Sequence, residues 1–493
     1  MDADIEKDYY AILGVSPFAA PREIKRAYHK LARRYHPDSR DVDAPTSLFH
    51  QVQEAYAVLS DASSRRAYDR RRDELGGGEE TGLALNVLAS RKILYSEHEE
   101  QVFYVLLEMR PLASSGGERL PLDLTLVIDR STSMKGVRLE NVKEAGRQLV
   151  DQLHDGDALA IVAFNDRAEV ILSDRVGSSR AQAKAAITAL QGEGGTELQQ
   201  GMRAGLREVE THRGRDGVSH LILLTDGRTY GDDEACVALA QRAGEQGIGI
   251  TAWGIGEDWN DDLLDEIASR SGGKSAYIAS PGQIRTLLRR EIRSLGSVSV
   301  TGLTLSVRSA DGVHVESAFQ MSPSLEHLQL SGGMMRLGSL GADAPIRTLL
   351  EIGIERRSPG EHRLLQVELN GEAPHLDRRN QRLRQDIWCV FADDEPRSSE
   401  EVPSAILSAL SRITLYRMQE QAWSALEAGR VDRATSQLEM VATRLLDMGE
   451  EQLAQAAMLE AKHIARKGDS TSRGRKRIKY GTRALQVGRE TDD

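Results

Sequence analysis

Leu122-Asp123-Leu124-Thr125-Leu126-Val127-Ile128-Asp129-Arg130-Ser131-Thr132-Ser133 is the stretch on which the architecture of this 493-residue chain turns. Leu122 to Asp129 reads as a strand, and the strand ends in an Asp-x-Ser-x-Ser pattern. From there the chain alternates. Strand candidates at Leu122 to Asp129, Ala158 to Asn165, Val170 to Ser173, Leu221 to Asp226, Ile248 to Gly254 and Ser275 to Ala279 are separated, in most gaps, by helical patterns. Alternation of this kind predicts a parallel, doubly wound α/β sheet, in which ligands collect at the carboxyl ends of the strands.

Two further pieces converge on that end. Gly194-Gly195-Thr196 opens the helix that starts at Glu197, and Thr225-Asp226-Gly227 closes the strand that begins at Leu221. The hydroxyls of Ser131, Ser133 and Thr196 with the carboxylates of Asp129 and Asp226 form an all-oxygen set, suited to a hard, octahedral cation such as Mg2+, or to Mn2+ or Ca2+. The glycines let backbone pass close to the ion.

On either side the rhythm differs. Residues 82 to 110 read as two strands, with Leu83, Leu85, Val87 and Ala89 alternating and Val102 to Leu107 apolar throughout. Beyond Ser297 period-two alternation returns, at Val298 and Val300, at Leu303, Leu305 and Val307, at Leu350, Ile352 and Ile354, and at Leu365, Val367 and Leu369. That is the pattern of a β-sandwich. The economical arrangement is one sandwich, built from residues 82–117 and 298–395, with an α/β domain over 118–297 inserted between its strands. From Pro403 onward, helical stretches broken at Gly429 and Gly449 predict a bundle of about three helices within 403–487.

The amino-terminal segment is helical and basic. Apolar residues at Ile24, Ala27, Tyr28, Leu31, Ala32 and Tyr35 follow the helical period, while residues 20 to 35 hold six Lys or Arg (Arg22, Lys25, Arg26, Lys30, Arg33, Arg34) against Glu23 alone. Pro37 ends that helix. A second helix carries Leu48, Phe49, Val52, Ala55, Tyr56 and Leu59 at the same spacing, so the two can zip antiparallel across a loop presenting His36-Pro37-Asp38. His29 stands among the cations as a solvated histidine. Residues 74–81, with Gly76-Gly77-Gly78, read as a flexible linker.

Composition bounds the function. The net charge of -11 argues against a dedicated nucleic-acid binder, although residues 462 to 489 carry ten Lys or Arg against Asp469 alone. That tail reads as a solvated or partner-facing surface. No apolar run approaches the roughly 20 residues of a membrane span, and Met1-Asp2-Ala3-Asp4 is no signal peptide, so a cytoplasmic location is expected. Cys236 and Cys389 read as neither ligands nor a disulfide pair, Trp253, Trp388 and Trp423 as core, and Arg130 as a surface arginine beside the candidate metal loop.

Residues 6 to 73 resemble the J domain of the DnaJ family, through Asp8-Tyr9-Tyr10, Leu13-Gly14-Val15, the Tyr28 to Asp38 run, Glu54-Ala55-Tyr56, Val58-Leu59-Ser60-Asp61 and Arg66-Ala67-Tyr68-Asp69. The domain is assigned to residues 1–73. The resemblance implies docking on a DnaK-type heat-shock ATPase through Lys25, Arg26, Tyr28, Lys30, Arg33 and Arg34, with His36, Pro37 and Asp38 promoting ATP hydrolysis. Cysteine repeats and a Gly/Phe-rich segment are absent, which favours a specialised targeting factor.

Residues 118 to 297 resemble the von Willebrand factor A domain with its metal-ion-dependent adhesion site. The resemblance implies that hydroxyls of Ser131, Ser133 and Thr196 touch the metal, that Asp129 and Asp226 act through water or hydrogen bonds, and that a partner protein supplies an Asp or Glu. Thr132 stands where bacterial relatives commonly carry Gly. The expected function is therefore a J-domain cochaperone that brings its ATPase to clients held through the metal. The alternative is an adhesion or assembly scaffold with the J domain as accessory. An enzyme is not expected, since no phosphate-binding loop, nucleophile elbow or positioned general base accompanies the metal ligands.

Overall fold

The computed structural model describes residues 9–15, 21–34, 46–61, 63–65, 68, 82–112, 119–393 and 401–485, apart from 213, 215, 216, 228, 230, 281, 343, 377 and 378. Among these described residues three helices come first: α1 (Tyr9–Leu13), α2 (Pro21–Arg34) and α3 (Thr46–Ser60). The helical period does what it predicts, since Ile24 of α2 meets Val52, Ala55 and Leu59 of α3 together with Tyr10, Leu13 and Tyr68 in one small core. Tyr28 stacks on Tyr56 with ring centroids 4.0 Å apart. Lys25, Arg26, Lys30 and Arg33 are exposed on the opposite face. His36, Pro37, Asp38, the Arg34 side chain and the 74–81 linker lie outside the described residues.

The sandwich starts with β1 (Leu83–Ala89), β2 (Ile93–Tyr95) and β3 (Glu100–Pro111), one short strand more than the two expected. The chain then enters the α/β domain: β4 (Leu122–Asp129), α4 (Val137–Gln152), β5 (Ala158–Phe164), β6 (Ala168–Arg175), α5 (Val176–Ala189), α6 (Leu198–His212), β7 (Val218–Thr225), α7 (Asp233–Glu245), β8 (Gly249–Ile255), α8 (Asp261–Ser271), β9 (Ser275–Ile278) and α9 (Gln283–Gly296). The sheet order is β6-β5-β4-β7-β8-β9. Strands β4, β5, β7 and β8 are buried on both faces, as their continuous apolar runs require. The expectation of a wholly parallel sheet needs one correction. Strand β6 pairs antiparallel with β5, because residues 165–167 leave room for a hairpin and none for a crossover helix.

Back in the sandwich come β10 (Val298–Ser309), β11 (Val313–Ser322), β12 (Glu326–His327), β13 (Met334–Gly341), β14 (Ile346–Glu355), β15 (Gly360–Glu372) and β16 (Asn380–Ala392). Two five-stranded sheets face each other, ordered β1-β3-β14-β11-β12 and β13-β10-β15-β16-β2. Strand β3 pairs with β14, Leu106 opposite Leu349, so residues from both sides of the insertion complete one sheet. On β16, Ile387, Cys389 and Phe391 point inward, which turns Trp388 out with 52% of its surface exposed. The reading of Trp388 as core is thereby corrected; Trp253 and Trp423 are buried as expected. Cys236 and Cys389 are buried free thiols.

The described carboxyl-terminal residues form four helices: α10 (Ser404–Glu427), α11 (Val431–Asp447), α12 (Glu451–Lys467) and α13 (Ser472–Arg483). Gly429 and Gly449 break the first three, and Gly468, with φ of 77°, makes the additional break. Helix α10 seats Ile406, Ala409 and Ile413 on Leu106, Phe319, Met321, Leu325 and Leu349 of the sandwich. The basic tail is where the sequence reading fails most plainly. Lys476 and Lys479 of α13 are 2% and 4% exposed, held against the α/β domain. Lys476 Nζ donates to the carbonyls of Glu257 (2.5 Å) and Trp259 (2.7 Å), and Lys479 Nζ meets Asp261, Asp262 and Asp265 at 2.7, 3.0 and 2.8 Å. Lys479 answers acids, and Lys476 carbonyls, more than 200 positions away, so neither the solvated nor the partner-facing reading holds for these two.

Candidate metal centre

Strand β4 ends at Asp129, and the next four residues turn over the top of the sheet. Asp129 shapes that turn. Its Oδ1 accepts the Ser131 N–H at 2.8 Å, and its Oδ2 accepts the Thr225 hydroxyl from the end of neighbouring β7 at 2.6 Å. Both carboxylate oxygens are thus engaged by protein donors in a fully buried position. Ser131 and Ser133 face each other, Oγ to Oγ 2.9 Å, and Ser133 Oγ donates to Asp226 Oδ1 at 2.7 Å. The Gly194 carbonyl receives both the backbone N–H and the hydroxyl of Thr132 at 3.0 Å, which straps the Gly194-Gly195-Thr196 loop to the Asp-x-Ser-x-Ser loop. Gly227 has no side chain for a steric reason: a Cβ there would stand 2.8 Å from Thr196 Oγ1.

All five sequence-derived candidates, Asp129, Ser131, Ser133, Thr196 and Asp226, therefore meet at the carboxyl ends of β4 and β7. The carboxylates are fully buried, Ser133 is exposed and Thr196 half-buried, so oxygen donors line an open mouth above a charged floor. Burial holds the Asp129 carboxyl above its ordinary range, the donors from Thr225 and Ser131 oppose that shift, and the negative charge of Asp226 adds to it. Two buried carboxylates beneath a rosette of hydroxyls fit a divalent cation, whose charge would offset their desolvation and mutual repulsion. Among the described residues no cluster of three or more His, Cys, Asp or Glu offers a competing metal site.

Two members of this centre were not singled out from sequence. Thr225 belongs to the Thr-Asp-Gly triplet, and its hydroxyl is the second prop of Asp129. Arg138, in the first turn of α4, pairs with Asp226 Oδ2 and reaches the Ser133 carbonyl at 3.4 Å. Only its position soon after the metal loop hinted at a role. Arg130 is mostly covered and pairs with Glu169 at 3.1 Å.

Fold and site together define a J-domain protein whose body is a β-sandwich interrupted by a von Willebrand factor A domain and closed by a helical bundle. Residues 8–69 match the DnaJ domain family, 123–290 the von Willebrand factor type A domain family, and 404–487 the Sll0103-like, C-terminal alpha-helical domain family. Protein sll0103 of Synechocystis sp. is 31% identical over 342 residues, covering 67% of this chain and 80% of that protein. The chain belongs to the Sll0103-like family.

The J domain has its own relatives. Chaperone protein DnaJ of Chlamydia felis is 58% identical over 64 residues, a match that spans 13% of this chain and 16% of that protein. Among solved structures, von Willebrand factor type A from Catenulispora acidiphila superposes with a TM-score of 0.67 at 21% identity, over 83% of this chain and 98% of that one. The ArnB paralog VWA2 from Sulfolobus acidocaldarius does so at 0.52 and 15%, over 82% and 100%. Both likenesses speak to fold. The chain thus joins a J domain of cochaperone type to a protein-interaction domain. No helix of the described residues is long and apolar enough to cross a membrane.

Proposed function

We propose that this chain is a cytoplasmic J-domain cochaperone, rather than an enzyme. It stimulates a DnaK-type ATPase through His36, Pro37, Asp38 and the cationic face of α2, and presents that ATPase to proteins that offer an Asp or Glu to a divalent cation, Mg2+ first, held at Ser131, Ser133 and Thr196 over Asp129 and Asp226. The observation that carries this reading is the open hydroxyl rosette above two buried carboxylates, on a domain locked to the sandwich and the bundle. Hydroxyl ligation leaves most of the ion's charge available to an incoming carboxylate. Nothing in the arrangement positions a nucleophile or base, so recognition is the chemistry it supports.

The test separates the two ends. Asp129→Ala in the full chain is expected to abolish Mg2+-dependent capture of acidic partners and to leave stimulation of the ATPase intact. His36→Gln is expected to do the reverse. Stimulation that survives His36→Gln would favour the alternative, a metal-dependent assembly scaffold with an accessory J domain. Capture that survives Asp129→Ala in chelator would move recognition to another surface.

A further inference from the structure

Helices place cations poorly at their first turn, where the macrodipole is positive, yet Arg138 is the second residue of α4. What offsets that placement is Asp226. Its two oxygens are divided between the metal loop and Arg138: Oδ1 accepts from Ser133 Oγ at 2.7 Å, and Oδ2 pairs with the Arg138 guanidinium. The guanidinium is confined from behind by the loop after β8. A Cβ at Gly256 would lie 3.0 Å from Arg138 Nη2, and that loop is pinned in turn by the Trp259 Nε1 bond to the Gly256 carbonyl at 2.8 Å. Arg138 is one-third exposed, and its Nη1 lies 3.4 Å from the carbonyl of Ser133, a residue exposed at the mouth. The other arginine of the rim, Arg130, spends its charge on Glu169.

Charge at the site follows from this placement. Asp129 and Asp226 alone would balance a divalent ion and leave a neutral centre, to which a partner's carboxylate is drawn weakly. Counting Asp129, Asp226 and Arg138, and leaving aside the exposed Asp166 that accepts the Gly195 N–H on the rim, the empty centre carries one net negative charge. The centre loaded with a divalent ion carries one net positive charge.

We infer that Arg138 sets the balance of affinities at this site: it weakens the hold on a bare divalent cation and strengthens the hold of the loaded centre on a carboxylate. The inference rests on the metal-site reading above and adds to it a residue and a sign. The guanidinium, paired with the same Asp226 that accepts from Ser133, repels an incoming ion and attracts a carboxylate arriving at the loaded centre. Removing it therefore moves the two affinities in opposite directions. A merely structural arginine would lower both, or neither.

The experiment uses the full chain with Mn2+ as the metal probe, followed by the electron paramagnetic resonance of the free ion, and acetate as the carboxylate probe, titrated into Mn2+-saturated protein by calorimetry. Arg138→Met keeps the length and apolar stem of the side chain without its charge, and Arg138→Lys keeps the charge. Expected for Arg138→Met is Mn2+ binding tighter by about tenfold and acetate binding to the loaded protein weaker by about tenfold, the effect of one partly screened charge. Arg138→Lys is expected near the parent in both. Mn2+ bound equally or more weakly by Arg138→Met, or acetate bound equally or more tightly, overturns the inference and leaves the metal site standing. Absence of Mn2+ binding in the parent and both variants overturns the metal-site reading and this inference with it. Mn2+ binding that Asp129→Ala does not reduce locates the metal elsewhere and overturns both in the same way. A parent that binds Mn2+ only when acetate is present, beside an Arg138→Met that binds it alone, supports the inference, since the guanidinium then accounts for the weak hold on the bare ion.

Discussion

Asp129 is fully buried, and each of its oxygens accepts one protein donor, the Ser131 N–H at Oδ1 and the Thr225 hydroxyl at Oδ2. Thr225, itself 1% exposed, is consequently a support of the centre and not only the last residue of a strand. Thr225→Val keeps the shape and removes the donor, leaving a buried charged oxygen unpaired. The expected loss is about 1–3 kcal/mol in urea unfolding, with Thr225→Ser close to the parent. His220 gives a second test. It lies in the seam between the α/β domain and the sandwich, its Nε2 2.8 Å from Thr251 Oγ1, which donates to Glu291 at 2.9 Å. Burial pushes its pKa down to about 4, against the pull of Glu291, with Lys274 acting in the same direction as burial. The unfolded imidazole takes up its proton below about pH 6.5 and the native one only near 4, so stability is lost as pH falls through that window, by roughly 3 kcal/mol in all. Equilibrium unfolding of the parent from pH 7 to 4 is expected to show that slope, and His220→Gln to flatten it.

Helix α13 illustrates how one element joins two others. Its Lys479 is paired with Asp261 and Asp265 of α8, Arg483 with Asp265 at 2.8 Å, and Tyr480 donates to the same carboxylate at 2.8 Å. Lys476 lies 4.4 Å from the centre of the Trp259 ring, and the Arg483 carbonyl accepts the Leu325 N–H of the sandwich at 3.1 Å. Cutting one arm of such a buried cluster leaves its acids undercompensated. Lys479→Met is expected to cost about 3 kcal/mol and to loosen the bundle from the α/β domain, read as faster amide exchange along α8 and α13. Helix α2 contrasts with it. Lys25, Arg26, Lys30 and Arg33 face solvent, so ATPase docking through them is expected to weaken with salt over a screening length of about 8 Å at physiological ionic strength, and Arg26→Glu with Lys30→Glu to mimic high salt. An association constant indifferent to salt would assign docking to apolar contacts.

Across the assembled chain the couplings are uneven. The α/β domain and sandwich meet at glycines that admit nothing larger: a Cβ at Gly338, where φ is 84°, would stand 2.2 Å from the Gly272 carbonyl oxygen. Arg336 donates to the Gly244 carbonyl at 3.0 Å across the same seam. The bundle is fixed by Arg412 to the Met321 carbonyl at 2.9 Å, by Arg417 to Glu351, and by the apolar seat under α10. Among the described residues the J domain meets the bundle side through the Lys30–Glu401 pair, whose side chains are 66% and 60% exposed. Such a pair is worth about 0–1 kcal/mol. Deleting residues 1–73 is therefore expected to leave the unfolding midpoint of the remainder unchanged, whereas deleting 404–487 uncovers Leu106, Phe319, Met321, Leu325 and Leu349 and is expected to yield aggregated protein by light scattering.

Much of this was legible in local pattern. The helical period of α2 and α3, the continuous apolar runs of β4 and β7, the alternation on both sides of residues 118–297 and the three metal-site motifs each depend on neighbours a few positions apart, so local spacing could propose the elements of each layer and bring five candidate ligands into view. The failures share one cause. The hairpin of β5 and β6, the outward face of Trp388, the inward turn of the basic tail and the pairing of Arg138 with Asp226 depend on which surfaces meet after the chain has folded. Lys479 and Asp265 are 214 positions apart, and charge counting along the sequence assigns the lysine to water because its partners belong to another domain. A cation or an aromatic ring carries the same local signal whether it faces solvent or a distant acid. Tertiary packing alone chooses between them, since burying a charge is affordable only where an opposite charge waits in the same desolvated place.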